Sequence, residues 1–408
     1  MRPIVFICLL LLSGTSFGQD IAYTDIEKSL QTQFITANDG DVIEIAAGHY
    51  SFSRTLWLDN KKDIIIKGAG SNQTFLAFHE QLDGAEAIKV TGSTNITIEG
   101  LTVWDAKGDA LKVQETDGIA FVDVVAEWRG KPSKKNGAYG LYPVQCNDVL
   151  IDNCVAIGAS DAGIYVGQST NIIVKNSRAY NNVAGIEIEN SLNADVHSNE
   201  AYNNTGGILV FDLPGLLLKN GGNVRVFNND VHDNNLANFA PKGNIVGKVP
   251  DGSGVMVLAT NNVEVFNNKI VNNNTASMTI ISYYMTEEPI EDEEYYPYPT
   301  AVNVHNNFFE REHVKPTFKG RMGKMFHFKL NFGKDVPHIL YDGILDSDKL
   351  AEEGSAQDVM RICVRDNTNE TFANLDAEND FKNISRDVVP YNCTLQPIGP
   401  FVEPSSRN

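Results

Sequence analysis

An amine, two phenols and a carboxyl group recur at matched places in this sequence. Lys112, Tyr142, Tyr165 and Glu187 each follow a small residue and one apolar residue, in Ala110-Leu111-Lys112, Gly140-Leu141-Tyr142, Gly163-Ile164-Tyr165 and Gly185-Ile186-Glu187. Groups of these types suit proton transfer on a sugar. Proton removal beside a uronate carboxyl needs a base and a nearby cation, which Lys112 with Arg129 would supply, and Tyr142 or Tyr165 would serve as base or acid. Hydrolysis would instead pair two carboxyl groups across the sugar, Glu187 with Asp161 or Asp212. A neighbouring column holds Gln114, Glu189 and Phe211, and Gln145, Gln168 and Asp212 stand at the ends of the same segments. Amides and carboxylates bond sugar hydroxyls, and aromatic faces stack on sugar rings. The insert "RGKPSKKNGAY" carries Arg129, Lys131, Lys134, Lys135 and Tyr139 and is the densest basic patch. The plain alternative is a solvated sheet face with a stacked Tyr pair.

These positions share one role only if the chain repeats. It does. An apolar alternation ending in Asn or Ser reads "VLIDNC", "IIVKNS", "ADVHSN", "VRVFNN", "VEVFNN" and "VNVHNN", beginning at Val149, Ile172, Ala194, Val224, Val263 and Val302. The spacing is 22 to 23 residues in tight copies and 30 to 39 where inserts intervene. Such a unit, with two or three strands of period two, cannot bury its own apolar face, so copies must stack. A right-handed parallel β-helix of about ten coils is the expected architecture. A leucine-rich repeat lacks its Leu spacing and helical segment here. Leu111, Val113, Ile164, Val166, Ile186, Ile188, Ile208 and Val210 are the expected inward residues, and Lys112, Tyr142, Tyr165 and Glu187 then climb one outer face, with Asp109 and Asp161 beside them. Asn153, Asn176, Asn228, Asn267 and Asn306 suit left-handed turns and coil-to-coil hydrogen bonds. Further along, the face turns apolar at Leu209, Phe211, Met256 and Leu258, so the inserts at 213–222 and 236–252 should cover it. The acidic, aromatic segment 283–299 reads as a solvated excursion. A Ca²⁺ ion is the cofactor it would admit, although its carboxylates have no fixed spacing and no metal motif occurs. His197 and His305 fall at outward positions with surface roles.

Residues 1–18 read as a secretory signal peptide. Residues 19–314 form the β-helix, opened by an amphipathic helix capped by Thr24 or Asp25. Residues 315–408 form a C-terminal cap held by a Cys363–Cys393 disulfide, which suits an oxidising compartment. Cys146 and Cys154 are expected as buried free thiols. The formal charge of −19 opposes nucleic acid and anionic lipid as partners. No segment beyond the signal is apolar enough for a membrane span.

The phrases "GAYGLYPVQCNDVLIDNCVAIGASDAGIYVGQS", "AGIEIENS" and "GGILVFDLPG" resemble a family of exported bacterial parallel β-helix repeat proteins within the pectin-lyase-like superfamily. The resemblance implies the fold, a secreted, periplasmic or cell-envelope location, and a second exported protein as partner. It brings no assigned activity. The superfamily includes polysaccharide lyases, glycoside hydrolases and uronan epimerases. The polygalacturonase and mannuronan-epimerase motifs are absent from this sequence, and superfamily membership does not transfer activity. Two functions follow as expectations. One is binding and modification of an extracellular polysaccharide or other glycan, lyase- or epimerase-like if catalytic. The other is non-catalytic binding or assembly in the envelope.

Overall fold

The computed structural model describes residues 21–316, 329–350 and 360–401. The signal segment 1–18 lies outside them. Each full coil gives one strand to an eleven-stranded sheet and two to a nineteen-stranded sheet, and every pairing within the two sheets is parallel. The coil that starts at residue 162 is typical: Ala162–Gly167, then Thr170–Lys175, then Arg178–Tyr180. The next strand, Ala184–Glu189, lies directly on Ala162–Gly167. The parallel β-helix is therefore the fold.

All eight expected inward residues, from Leu111 to Val210, are buried in one continuous core. Burying a Val or Ile side chain contributes roughly 1.5–3 kcal/mol, so each coil stabilises its neighbours through a few such residues. The helix Glu27–Thr36 plugs one end with Leu30 and Phe34. Its cap differs from expectation. Ile26 is the N-cap residue, while the Asp25 carboxylate accepts from the Glu27 amide at 3.0 Å.

The corners explain the recurrent polar residues. Gln145, Gln168 and Asn190 follow the first strand of their coils with φ of 56°, 49° and 44°. Asn153, Asn176, Asn228, Asn267 and Asn306 occupy the second corner with φ from 51° to 55°. Asn tolerates this left-handed conformation better than most residues. Of these five, Asn176 bonds across coils, to Asp152 at 2.8 Å; the continuous ladder belongs to the next residue. Asn199, Asn229, Asn268, Asn307 and Asn367 form a ladder of amide bonds of 2.9–3.1 Å. Asn182, Asn204, Asn234 and Asn273 form a second ladder at the third corner. Cys154 sits where later coils place these ladder amides. It and Cys146 are buried free thiols, pushed up to about 12 by burial.

Beyond residue 314, Ile339–Tyr341, Ile362–Arg365 and Phe372–Asn374 add to the two sheets. Cys363 and Cys393 form a disulfide. From it the tail runs back across the nineteen-stranded sheet. The Ile398 amide donates to Glu264 at 3.2 Å, and the Arg225 guanidinium, paired with Asp195, lies near Phe401.

Candidate functional site

The eleven-stranded sheet aligns the expected column. Lys112 lies beside Tyr142, Tyr165 beside Glu187, and Glu187 beside Leu209. The column continues through Met256 and Thr279. It also reaches further toward the N-terminus than expected, to Lys89 and Trp57.

The column divides into two environments. Lys112, Tyr139 and Tyr142 are half-buried, whereas Tyr165 and Glu187 are 4% and 1% exposed. Glu189, Asp161 and Asp212 are buried as well. Three segments cover this part. Ile245, Val246 and Val249 pack on it from one insert, Leu213 from another, and Tyr283, Ile290 and Tyr295 from a third. Phe211, Met256 and Leu258 are thus shielded. The third segment is a correction: 283–299 is no solvated excursion. Carboxylates on its rim are tied down, Asp292 and Glu294 to Lys219 and Glu288 to Lys248. Tyr295 donates to the Asp212 carbonyl at 2.6 Å. Among the described residues, no cluster of three or more His, Cys, Asp or Glu is arranged to hold a metal ion.

Under the cover lies a group of acids and phenols. The rings of Tyr139, Tyr142 and Tyr165 meet at centroid distances of 4.5–5.1 Å. The Tyr165 hydroxyl donates to Glu189 at 2.7 Å. It reaches along its own strand because Gly167 leaves room; a Cβ there would stand 2.3 Å from the hydroxyl oxygen. Asp161 accepts from the Asn244 amide at 2.6 Å and from Tyr139. Neither carboxyl oxygen of Glu187 has a hydrogen-bond partner, nor does one oxygen of Asp212.

Burial sets the protonation. It raises Glu187 well above the usual carboxyl range, with Glu189 and Asp161 adding repulsion. Desolvation brings Glu189 to about 7, Asp212 to about 7 and Asp161 to about 6. Asp109, beside Tyr139, also rises to about 6 through burial. All three phenols are raised by desolvation, so they are proton donors and not phenolates at neutral pH. The arrangement holds one neutral carboxylic acid beside carboxyl groups that ionise near neutrality, the pairing that divides acid from base.

Other expected residues lie elsewhere. Arg129 pairs with Asp105 and stacks on Trp104 at 4.5 Å, neither of which belongs to the column. Gln145 accepts from Gln114 at 3.2 Å at the open end, and Gln168 accepts from the Leu217 amide, anchoring the cover. Asn244, Glu86, Lys89 and Trp57 were missed. Asn244 has no repeat signal. Lys89 had one: Ala87-Ile88-Lys89-Val90 precedes Ala110-Leu111-Lys112-Val113 by 23 positions.

The fold and the repeating column define a solenoid of the β-helix class, and the sequence matches agree. Residues 86–214 and 133–309 match a family described as right handed beta helix region, more than half of the 408 residues. The chain belongs to that family. Among solved structures it is similar to the A-module of a mannuronan C-5 epimerase from Azotobacter vinelandii, at 15% identity and a TM-score of 0.52, covering 85% of this chain and 91% of that one. It is also similar to a family 28 exopolygalacturonase from Yersinia enterocolitica, at 14% identity and a TM-score of 0.46, over 73% and 64% of the two chains. A DFA-IIIase from Arthrobacter chlorophenolicus A6 gives 13% identity and a TM-score of 0.47 over 81% and 91%. No curated protein matches the chain.

Proposed function

We propose that the protein binds an extracellular polysaccharide along the eleven-stranded face and modifies it by proton transfer. The observation that carries this reading is Glu187: buried, neutral, without a partner for either carboxyl oxygen, and flanked by Glu189 and Asp161. Leaving such a group unsatisfied costs about 1–3 kcal/mol, a cost that a structural role gives no reason to keep. In the lyase form, ionised Glu189 takes the proton beside a uronate carboxyl, which hydrogen bonds from the protonated Tyr139 and Tyr142 phenols neutralise in place of a cation, and the electrons form a ring double bond. The neighbouring C–O bond breaks, and Glu187 gives its proton to the leaving oxygen. In the epimerase form, Glu189 keeps the proton it took, and a protonated phenol, Tyr139 or Tyr142, gives another to the same carbon from the opposite face. The name of the structurally similar epimerase supports a polysaccharide substrate.

Export belongs to the same proposal, with 1–18 as signal peptide, 19–314 as the β-helix and 315–408 as the cap. The disulfide supports an oxidising compartment, and no helix among the described residues is long and apolar enough to cross a membrane.

Substrate can reach Glu187 only if the cover moves, with Asn244 leaving Asp161. That burial favours a second reading, a non-catalytic envelope protein acting with a second exported protein. A screen on polyuronates, with ultraviolet detection of the unsaturated product and proton NMR for epimerisation, separates the two. On a substrate so found, Glu187→Gln should lower turnover about a hundredfold or more. Turnover unchanged in Glu187→Gln would remove this cluster from the chemistry. No turnover on any polyuronate, with a partner protein retained, would favour assembly.

A further inference from the structure

Lys112 stands three strand steps from Glu187, about 14 Å at the spacing of neighbouring strands. It is engaged on both neighbouring strands. Its ammonium lies over Tyr142 at 5.0 Å and 3.8 Å from the Glu86 carboxylate, on the N-terminal side. It is therefore out of place to neutralise a sugar that reacts at Glu187. Its true neighbour is Lys89, in register on the adjoining strand. Lys89 stands 3.8 Å from the same Glu86 oxygen and 5.8 Å from the Trp57 ring.

Two cations thus share one carboxylate, and neither is within hydrogen-bonding distance of it. Glu86 is itself buried, 8% exposed, which fixes it as a post between the two ammonium groups. Trp57 is 49% exposed, and its indole N–H donates to Thr91 at 2.8 Å, which orients the ring. A protein of charge −19 here places two lysines and an exposed indole in a line that leads to Tyr142 and the covered acids.

We propose that Trp57, Lys89 and Lys112 form a subsite strip for an acidic polysaccharide, laid along the helix axis. The carboxylates of successive sugars meet Lys89 and Lys112, a ring packs on Trp57, and the chain enters the covered cluster past Tyr142. This rests on the reading of the face as a polyuronate site and adds the residues that meet its carboxylates and the end from which it is held.

The test is calorimetric binding of a mannuronate hexamer, a galacturonate hexamer and a neutral xylose hexamer to the full-length mature protein. One acidic hexamer should bind at least about tenfold more tightly than the neutral one, and the Lys89→Ala/Lys112→Ala variant should lose about that factor, as expected for charge-assisted bonds. Trp57→Ala should weaken binding severalfold, with Trp57→Phe recovering part of it. Thermal melts matched to wild type show that the variants fold. Acidic binding that survives the double lysine change would overturn the strip while leaving the polysaccharide reading in place. Equal binding of the neutral hexamer would do the same. Failure of wild type to bind any hexamer would sink both.

Discussion

At the scale of single residues, Glu187 and Gly167 make the site what it is. Asp161, Glu189 and Asp212 are raised to between about 6 and about 7 in the fold, against about 4 in an unfolded chain. The fold therefore holds more protons than the unfolded chain between these limits. The stability gained from neutral acids is full below about pH 4 and is lost as pH rises through 6 to 7. Melting temperature should fall from pH 5 to pH 8, and Glu187→Gln, which cannot ionise, should flatten that fall. An unchanged slope in the variant would show that Glu187 does not hold its proton in the fold across that range. At Gly167 any side chain displaces the Tyr165 ring. Gly167→Ala should cost about 1–3 kcal/mol by overpacking, read by denaturant unfolding. Retention of full stability would mean that the Tyr165–Glu189 bond is not held against the strand.

At the scale of elements, strand register was legible because period two and a coil of 22 to 23 residues leave little freedom. Leu111, Ile164 and Ile186 had to point inward, so Lys112, Tyr165 and Glu187 had to point out. What the repeat could not show is which outward residues end up covered. Asn244 reaches Asp161 from 83 positions away, and Tyr295 reaches Asp212 from 83, both from inserts without periodicity. Arg129 illustrates the same gap. Its acidic partner Asp105 stands 24 positions earlier at a coil corner, and no strand pattern extends there. The asparagine ladders were half legible: the corner Asn announced itself, but the bonding Asn is its neighbour. Asn229→Ala removes the side-chain bonds to Val196 and Asn268 and takes the acceptor from two Asn199 N–H groups. It should cost about 2–4 kcal/mol, at roughly 1–3 for each buried group left without a partner. A loss under 1 kcal/mol in equilibrium unfolding would show that the ladder is incidental.

At the scale of the molecule, a stack of coils meets only its neighbours, and such arrays unfold from their ends. One feature departs from that. The tail anchored at Cys393 lies back over Glu264 and Arg225, residues of coils well inside the stack. Cys393→Ser should lower stability by about 2–4 kcal/mol, the usual effect of losing a disulfide. Hydrogen exchange should quicken around 222–227 and 261–266 as well as in the cap; exchange faster in the cap alone would show that the tail holds without its anchor. The fastened tail also gives the protein a direction. A rope whipped at one end can unravel only from the other. Loss of coils should start beside the helix at 27–36, where Lys89 and Lys112 stand, and travel toward the clasped end. The open half of the groove would then be the first part of the protein to loosen and the covered acids among the last.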